Sequence, residues 1–161
     1  MKEREFVQRY RGIYEHSPWV AEKAAPLVDD SADVDVIARV RADCVDNASA
    51  ERQLSLIRAH PDLAGKAAIA GSLTDESESE QASAGLDHCS PEEYERFQAL
   101  NTAYRRKFGF PFVMAVRNCS RGQILAAFES RLENDYDEEF ENALLEIHRI
   151  GRMRLIALGA N

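Results

Sequence analysis

Apolar residues recur along this chain at three- and four-residue steps, the pattern of amphipathic helices. Phe6, Val7, Tyr10, Ile13 and Tyr14 define a first face. Ser17-Pro18 predicts a second helix start, since Ser caps and Pro suits the first turn. Val36, Ile37, Val40 and Cys44 stripe a third helix, and Leu54, Leu56 and Ile57 a fourth. The fourth must end near His60, because Pro61 disfavours helical geometry at the residue before it. From Leu63 to Asp75, Gly65 and Gly71 sit among small residues and predict a loop. A helix resumes near Asp75 and runs to Ala84, stopped by Gly85. Ser90-Pro91-Glu92-Glu93 joins a cap, a first-turn Pro and a capping-box Glu. Phe97, Leu100, Tyr104 and Phe108 follow, until Gly109-Phe110-Pro111-Phe112 breaks that helix. Ile124, Leu125, Phe128 and Leu132 stripe another. The last runs from about Asp137 to Leu158, with Phe140, Leu144, Ile147, Ile150 and Met153 inward. No hairpin turn and no strand–helix alternation interrupts the pattern. The expectation is an all-α fold: a single compact bundle of about seven to nine helices, one domain over residues 1–161.

Composition narrows the class. With 161 residues, 45% of them apolar and 30% charged, the chain suits one soluble globular domain. No apolar run approaches the ~18 residues that span a bilayer, so no membrane partner is expected. The charged start Met1-Lys2-Glu3-Arg4-Glu5 lacks a secretory apolar stretch, and Leu158-Gly159-Ala160-Asn161 is no peroxisomal address. The expected location is cytoplasmic. A net charge of −8 repels phosphate backbones and argues against a nucleic-acid partner. Cys44, Cys89 and Cys119 show no metal-ligand spacing and read as free thiols in a reducing compartment.

Three segments invite a chemical reading. In Ala59-His60-Pro61-Asp62-Leu63-Ala64-Gly65-Lys66, a His at a helix end is held extended by the following Pro. Its ring is then free to face a cleft, and His is the side chain best suited to proton transfer near neutral pH. The ordinary reading of such a His is a capping or hydrogen-bonded residue, and His16, His88 and His148 keep it. In the second segment, Ser77, Glu80 and Gln81 share one helical face, presenting a hydroxyl, a carboxylate and an amide; the plain alternative is a solvated polar helix. In the third, Lys107 to Val116, Gly and Pro among apolar residues make irregular backbone that can offer N–H and C=O groups to a ligand, or simply a buried turn packing rings. His60-Pro61-Asp62 is a His-x-Asp, but no His-Glu-x-x-His, Walker loop, dinucleotide fingerprint or nucleophile elbow accompanies it.

Together these segments resemble the 2-oxo-4-hydroxy-4-carboxy-5-ureidoimidazoline (OHCU) decarboxylases. The matching stretches include Glu15-His16-Ser17-Pro18-Trp19-Val20-Ala21, the His-Pro-Asp-Leu-Ala-Gly-Lys string from His60, and Leu73-Thr74 with Ser77 and Glu80-Gln81. Asn101, Tyr104, Lys107-Phe108-Gly109-Phe110-Pro111-Phe112, Arg131-Leu132, Glu139 and Arg154-Leu155 complete them in the family's order. The resemblance implies the last step of urate breakdown to (S)-allantoin, in an all-helical fold with no cofactor and no metal. By residue it implies a catalytic His60, with Pro61, Ser77, Glu80 and Gln81 as substrate contacts. It further implies backbone contacts from Phe112, Val113, Met114, Ala115 and Val116, a substrate-binding Arg154, a small-molecule substrate and a homodimer. Asn118-Cys119 departs from the family, where many relatives have Gly.

The implied chemistry assigns the proton steps to His60 and Glu80, with His60 as general acid/base and Glu80 orienting the substrate hydroxyl. Two other readings stand beside it. One is a helical binding module with no catalytic activity. The other is a metal-dependent hydrolase using His60, Asp62 and Glu80.

Overall fold

The structure, a computed structural model, describes residues 2–65 and 73–159. Eight α-helices and no strand occur among these residues, within the expected seven to nine. They are α1 (Glu3–Tyr10), α2 (Trp19–Ala24, running into a 3-10 turn at Ala25–Leu27), α3 (Val34–Asp46), α4 (Ala50–Arg58), α5 (Asp75–Ser83), α6 (Pro91–Phe108), α7 (Arg121–Leu132) and α8 (Tyr136–Ala157). They divide into two units: Met1–Ala59 with Ile147–Asn161, and His60–Glu146. Residues 66–72, where part of the expected Leu63–Asp75 loop falls, lie outside the described residues.

In the first unit, α1 buries Phe6 and Tyr10, and the predicted face continues beyond the helix, where Ile13 and Tyr14 are buried in the following turn. Ser17 does not cap α2. Its hydroxyl donates to the Glu15 carbonyl at 2.8 Å, and no side chain caps that helix. Asp33 caps α3 by accepting from Val36 N, and Ser49 caps α4 by accepting from Arg52 N. The buried face of α3 is Val34, Ile37, Arg41 and Val45, whereas Val36, Val40 and Cys44 are half-buried. The apolar spacing concealed this rotation, because a charged residue such as Arg41 is not counted in it. Arg41 is instead buried near the Tyr14 ring, and desolvation pulls its pKa below the ordinary value. Burial also pushes the Tyr14 hydroxyl up to about 12. That hydroxyl lies 3.0 Å from His148 Nδ1. α4 ends at Arg58, as the following Pro61 requires.

In the second unit the helix signals act as read. Thr74 caps α5, and Gly85 at φ 74° closes it, with Leu86 N bonded back to Gln81 O. The Ser90/Glu93 capping box opens α6, and left-handed Gly109 ends it. A second box, Ser120/Gln123, opens α7. α6 buries Phe97, Asn101, Tyr104 and Phe108; Leu100, expected inward, is half-buried because the stripe turns onto Asn101. The core of this unit is aromatic. Phe112 stacks on Phe128 at 3.9 Å between centroids, and Tyr104 meets Phe108, Phe110, Phe112 and Phe128 at 4.5–5.9 Å. Each ring buried in this way contributes about 1.5–3 kcal/mol.

Candidate active site

His60 lies two residues beyond the last residue of α4, Arg58, and is 6% exposed. The loop after it, residues 61–65, has no regular structure, and Ala64 is held at φ 50°. A left-handed non-glycine residue costs about 1–2 kcal/mol, so other contacts must fix this conformation. Side chains supply them. Gln81 of α5 donates its Nε2 to Asp62 O at 3.2 Å and accepts from Ala64 N at 3.0 Å through Oε1. Gln98 and Asn101 of α6 donate to Ala64 O at 2.7 Å and to Leu63 O at 3.0 Å. Arg105 pairs with the Asp62 carboxylate at 2.8–2.9 Å. Three successive carbonyls and one amide of the loop are therefore bonded to side chains of two helices.

Of the expected α5 face, Gln81 reaches this loop. Ser77 and Gln81 are buried, Glu80 is half-buried beside them, and Glu76 and Ser83 are exposed. Pro61 is half-buried. The helix and the His60 loop are thus brought together through Gln81. Both ends of the Gln81 amide bond the loop, a placement that the helical-face argument did not anticipate. Asp62, one member of the metal-hydrolase reading, spends its carboxylate on Arg105. Among the described residues no group of three or more His, Cys, Asp or Glu side chains could hold a metal.

The segment Phe112 to Val116 is irregular and mostly buried, with Met114 and Ala115 half-buried. It is held by its own contacts. Arg131 Nη1 donates to Val113 O at 2.6 Å, and its guanidinium lies 4.4 Å from the Phe112 ring centroid. Nε and Nη2 of Arg131 meet the Glu139 carboxylate at 2.9–3.0 Å, and Glu139 is fully buried. Burial also drives the hydroxyl pKa of Tyr104 well above its usual range. Ala115 O accepts from Cys119 Sγ at 3.8 Å. Asn118, in the stretch that departs from the family's Gly, takes φ 69°, which Asn tolerates better than most residues.

Arg154 belongs to the first unit. It is 5% exposed, so the ordinary reading of a solvated helix-end cation does not hold for it, whereas Arg149 and Arg152 are exposed. Its Nη2 meets Glu15 Oε2 at 2.9 Å, and its Nη1 donates to Ile13 O at 3.1 Å. Reading from sequence did not give Gln98, Asn101, Arg105, Arg131 or Glu139 a structural task. For α6 a signal was present: Gln98, Asn101 and Arg105 are three and four residues apart and make one polar stripe beside the aromatic one.

Known proteins share this pattern along the chain. A family model for OHCU decarboxylase matches residues 1–156. The 2-oxo-4-hydroxy-4-carboxy-5-ureidoimidazoline decarboxylase of Haloferax volcanii is 48% identical over 150 residues, covering 93% of this chain and 86% of that protein. Its counterpart in Halalkalicoccus jeotgali is 46% identical over 154 residues, covering 96% and 84%. Among solved structures, the crystal structure of (S)-allantoin synthase aligns with a TM-score of 0.73 at 33% identity, over 98% of this chain and 51% of that one. An OHCU decarboxylase crystallised in the presence of (S)-allantoin shares the fold, with a TM-score of 0.74 at 21% identity over 93% and 96%. This chain belongs to the OHCU decarboxylase family.

Proposed function

We propose that this protein decarboxylates 2-oxo-4-hydroxy-4-carboxy-5-ureidoimidazoline to (S)-allantoin in urate degradation, without a cofactor, as one functional domain. Beyond family membership, one observation carries the assignment to residues: buried His60 heads a loop bonded through Gln81 to the α5 face that bears Ser77 and Glu80. The substrate holds a carboxylate and a hydroxyl on one ring carbon, next to a C=N bond. As CO₂ leaves, the electron pair of the broken C–C bond forms a C=C bond with the imine carbon, and the imine nitrogen takes a proton. The resulting enol loses its hydroxyl proton while the neighbouring ring carbon gains one on a single face. The substrate is its own electron sink, so positioned acids and bases suffice.

His60 is the proposed general acid/base, and Glu80 orients the hydroxyl. Pro61, Ser77, Gln81 and the backbone of Phe112, Val113, Met114, Ala115 and Val116 are the proposed substrate contacts. Arg154 is the proposed anion-capturing residue on the family resemblance. Lys at that position keeps charge but loses the planar fork, so Arg154→Lys weakens substrate capture more than Arg149→Lys does.

The test generates the unstable ureidoimidazoline from urate in situ and follows its ultraviolet decay and the circular dichroism of the product. Faster decay with optically active allantoin is expected; decay at the buffer rate with racemic product refutes the assignment. His60→Asn is expected to lower kcat about 10²–10⁴-fold with the fold retained. A homodimer in the cytoplasm is the proposed working form, and a light-scattering mass near one 18.1 kDa chain excludes the dimer.

A further inference from the structure

We infer that Asn101, with Gln98, is a positioning residue for the reaction: the two amides of α6 fix the backbone on which His60 stands. The inference rests on the reading of His60 as the proton-transfer residue. His60 is joined through Pro61 to a loop whose path depends on Ala64 in the left-handed region. An unsupported Ala would leave that region for the more populated ones, and the loop after His60 would take another course. Gln98 holds the Ala64 carbonyl, and Asn101 holds the carbonyl before it, that of Leu63.

Asn101 is not placed as core filling. It occupies the inward stripe of α6 between Phe97 and Tyr104, 5% exposed, where an apolar side chain of its volume would pack as well. Its Oδ1 is buried and accepts no hydrogen bond among the described residues, so the amide's hydrogen bonding there is the bond that its Nδ2 donates to Leu63 O. The amide orientation follows from chemistry, because a carbonyl only accepts. A buried polar group held by a single bond into an irregular loop is costly as packing and useful as a clamp. Gln98 is half-buried one turn earlier on the same stripe and reaches the same loop. Neither side chain needs to touch substrate for this. Both act through the loop, and small displacements of a proton-transfer group weigh heavily on rate.

The experiment compares Asn101→Leu and Gln98→Met with wild type and His60→Asn, using steady-state kinetics and native-state hydrogen exchange. The expected result is a fall in kcat of about 10-fold or more with KM within about threefold, since a 1 Å misplacement of a reacting group can cost about 10²-fold. Amides 62–65 are expected to exchange faster while those of α6 and α7 do not. Two results overturn the inference: kcat within about twofold of wild type in both variants, or a loss of kcat accompanied by equally faster exchange throughout α6 and α7, which marks general loosening. If Asn101→Leu does not fold, Gln98→Met decides by the same criteria. A His60→Asn protein with wild-type kcat defeats the underlying reading instead, and the exchange data still report separately whether Asn101 holds the loop.

Discussion

Two of the irregular stretches described in the second unit are secured by opposite means. The His60 loop is tied by neutral amides: Gln81, Gln98 and Asn101 each reach a carbonyl, Gln81 also takes an amide proton, and Arg105 adds an ion pair at the half-exposed Asp62. The Phe110–Val116 segment is packed into rings and anchored by one guanidinium, Arg131, which is in turn gripped by fully buried Glu139. A neutral hydrogen bond contributes about 0.5–1.5 kcal/mol net, so losing one of several amides loosens a loop gradually. A buried ion pair behaves differently, because removing one partner strands the other's charge. The first arrangement holds the loop after His60 by several separable bonds. The second makes the segment integral to the core.

The largest expected effect tests that contrast. Arg131→Met keeps much of the side-chain volume but leaves the Glu139 carboxylate buried without its partner, and Val113 O without its donor. The expected loss is about 3–5 kcal/mol, read as a lower urea midpoint at unchanged slope. Adding Glu139→Leu should restore a large part of it, since an apolar pair of similar volume replaces a buried ion pair at little cost. A single-variant loss near 1 kcal/mol would place this anchor in the same energetic class as the amides and erase the distinction.

A smaller effect is expected on the other side. Gln81→Leu leaves Asp62 O and Ala64 N without their partners, a cost of about 1–3 kcal/mol. Because Gln98, Asn101 and Arg105 remain, the loss should sit in the loop: limited proteolysis between residues 61 and 65 quickens while the aromatic core keeps its near-ultraviolet dichroism. Loss of that dichroism would show that the loop and the core yield together.

These two regions also mark what was legible in the sequence. The helix start at Ser90 and the stops at Gly85 and Gly109 could be read because caps and left-handed glycines act through local geometry. The aromatic stripe of α6 could be read because burial follows helical period, and it erred only at Leu100, where Asn101 took the inward position. The family strings marked His60, the α5 face and the Phe112–Val116 segment as candidates. The clamp remained hidden. Gln98 to Ala64 and Arg131 to Val113 are contacts 34 and 18 residues apart in the chain, and a Gln or Arg among other polar residues gives no sign of the carbonyl it will reach. Arg41 was hidden for a related reason: a charged residue in an apolar stripe reads as the edge of the stripe rather than its centre.

The smallest expected effect falls on Ala64. Ala64→Gly removes the left-handed strain, worth about 1–2 kcal/mol. Against this stand the greater freedom of glycine in the unfolded chain, about 0.4–1 kcal/mol, and the loss of a buried methyl, about 0.8 kcal/mol. The three terms nearly cancel, so the urea midpoint should move by no more than about 0.5 kcal/mol equivalent. Activity is then the informative reading. If the hydrogen bonds from Gln81 and Gln98 alone set the path of the loop, glycine follows the same path and kcat stays within about twofold, because the reacting geometry is unchanged. If kcat falls several-fold at unchanged stability, the methyl group was itself restricting the loop. The amide clamp would then be only part of what holds His60 in place, and the two irregular segments would differ less than their hydrogen bonds suggest.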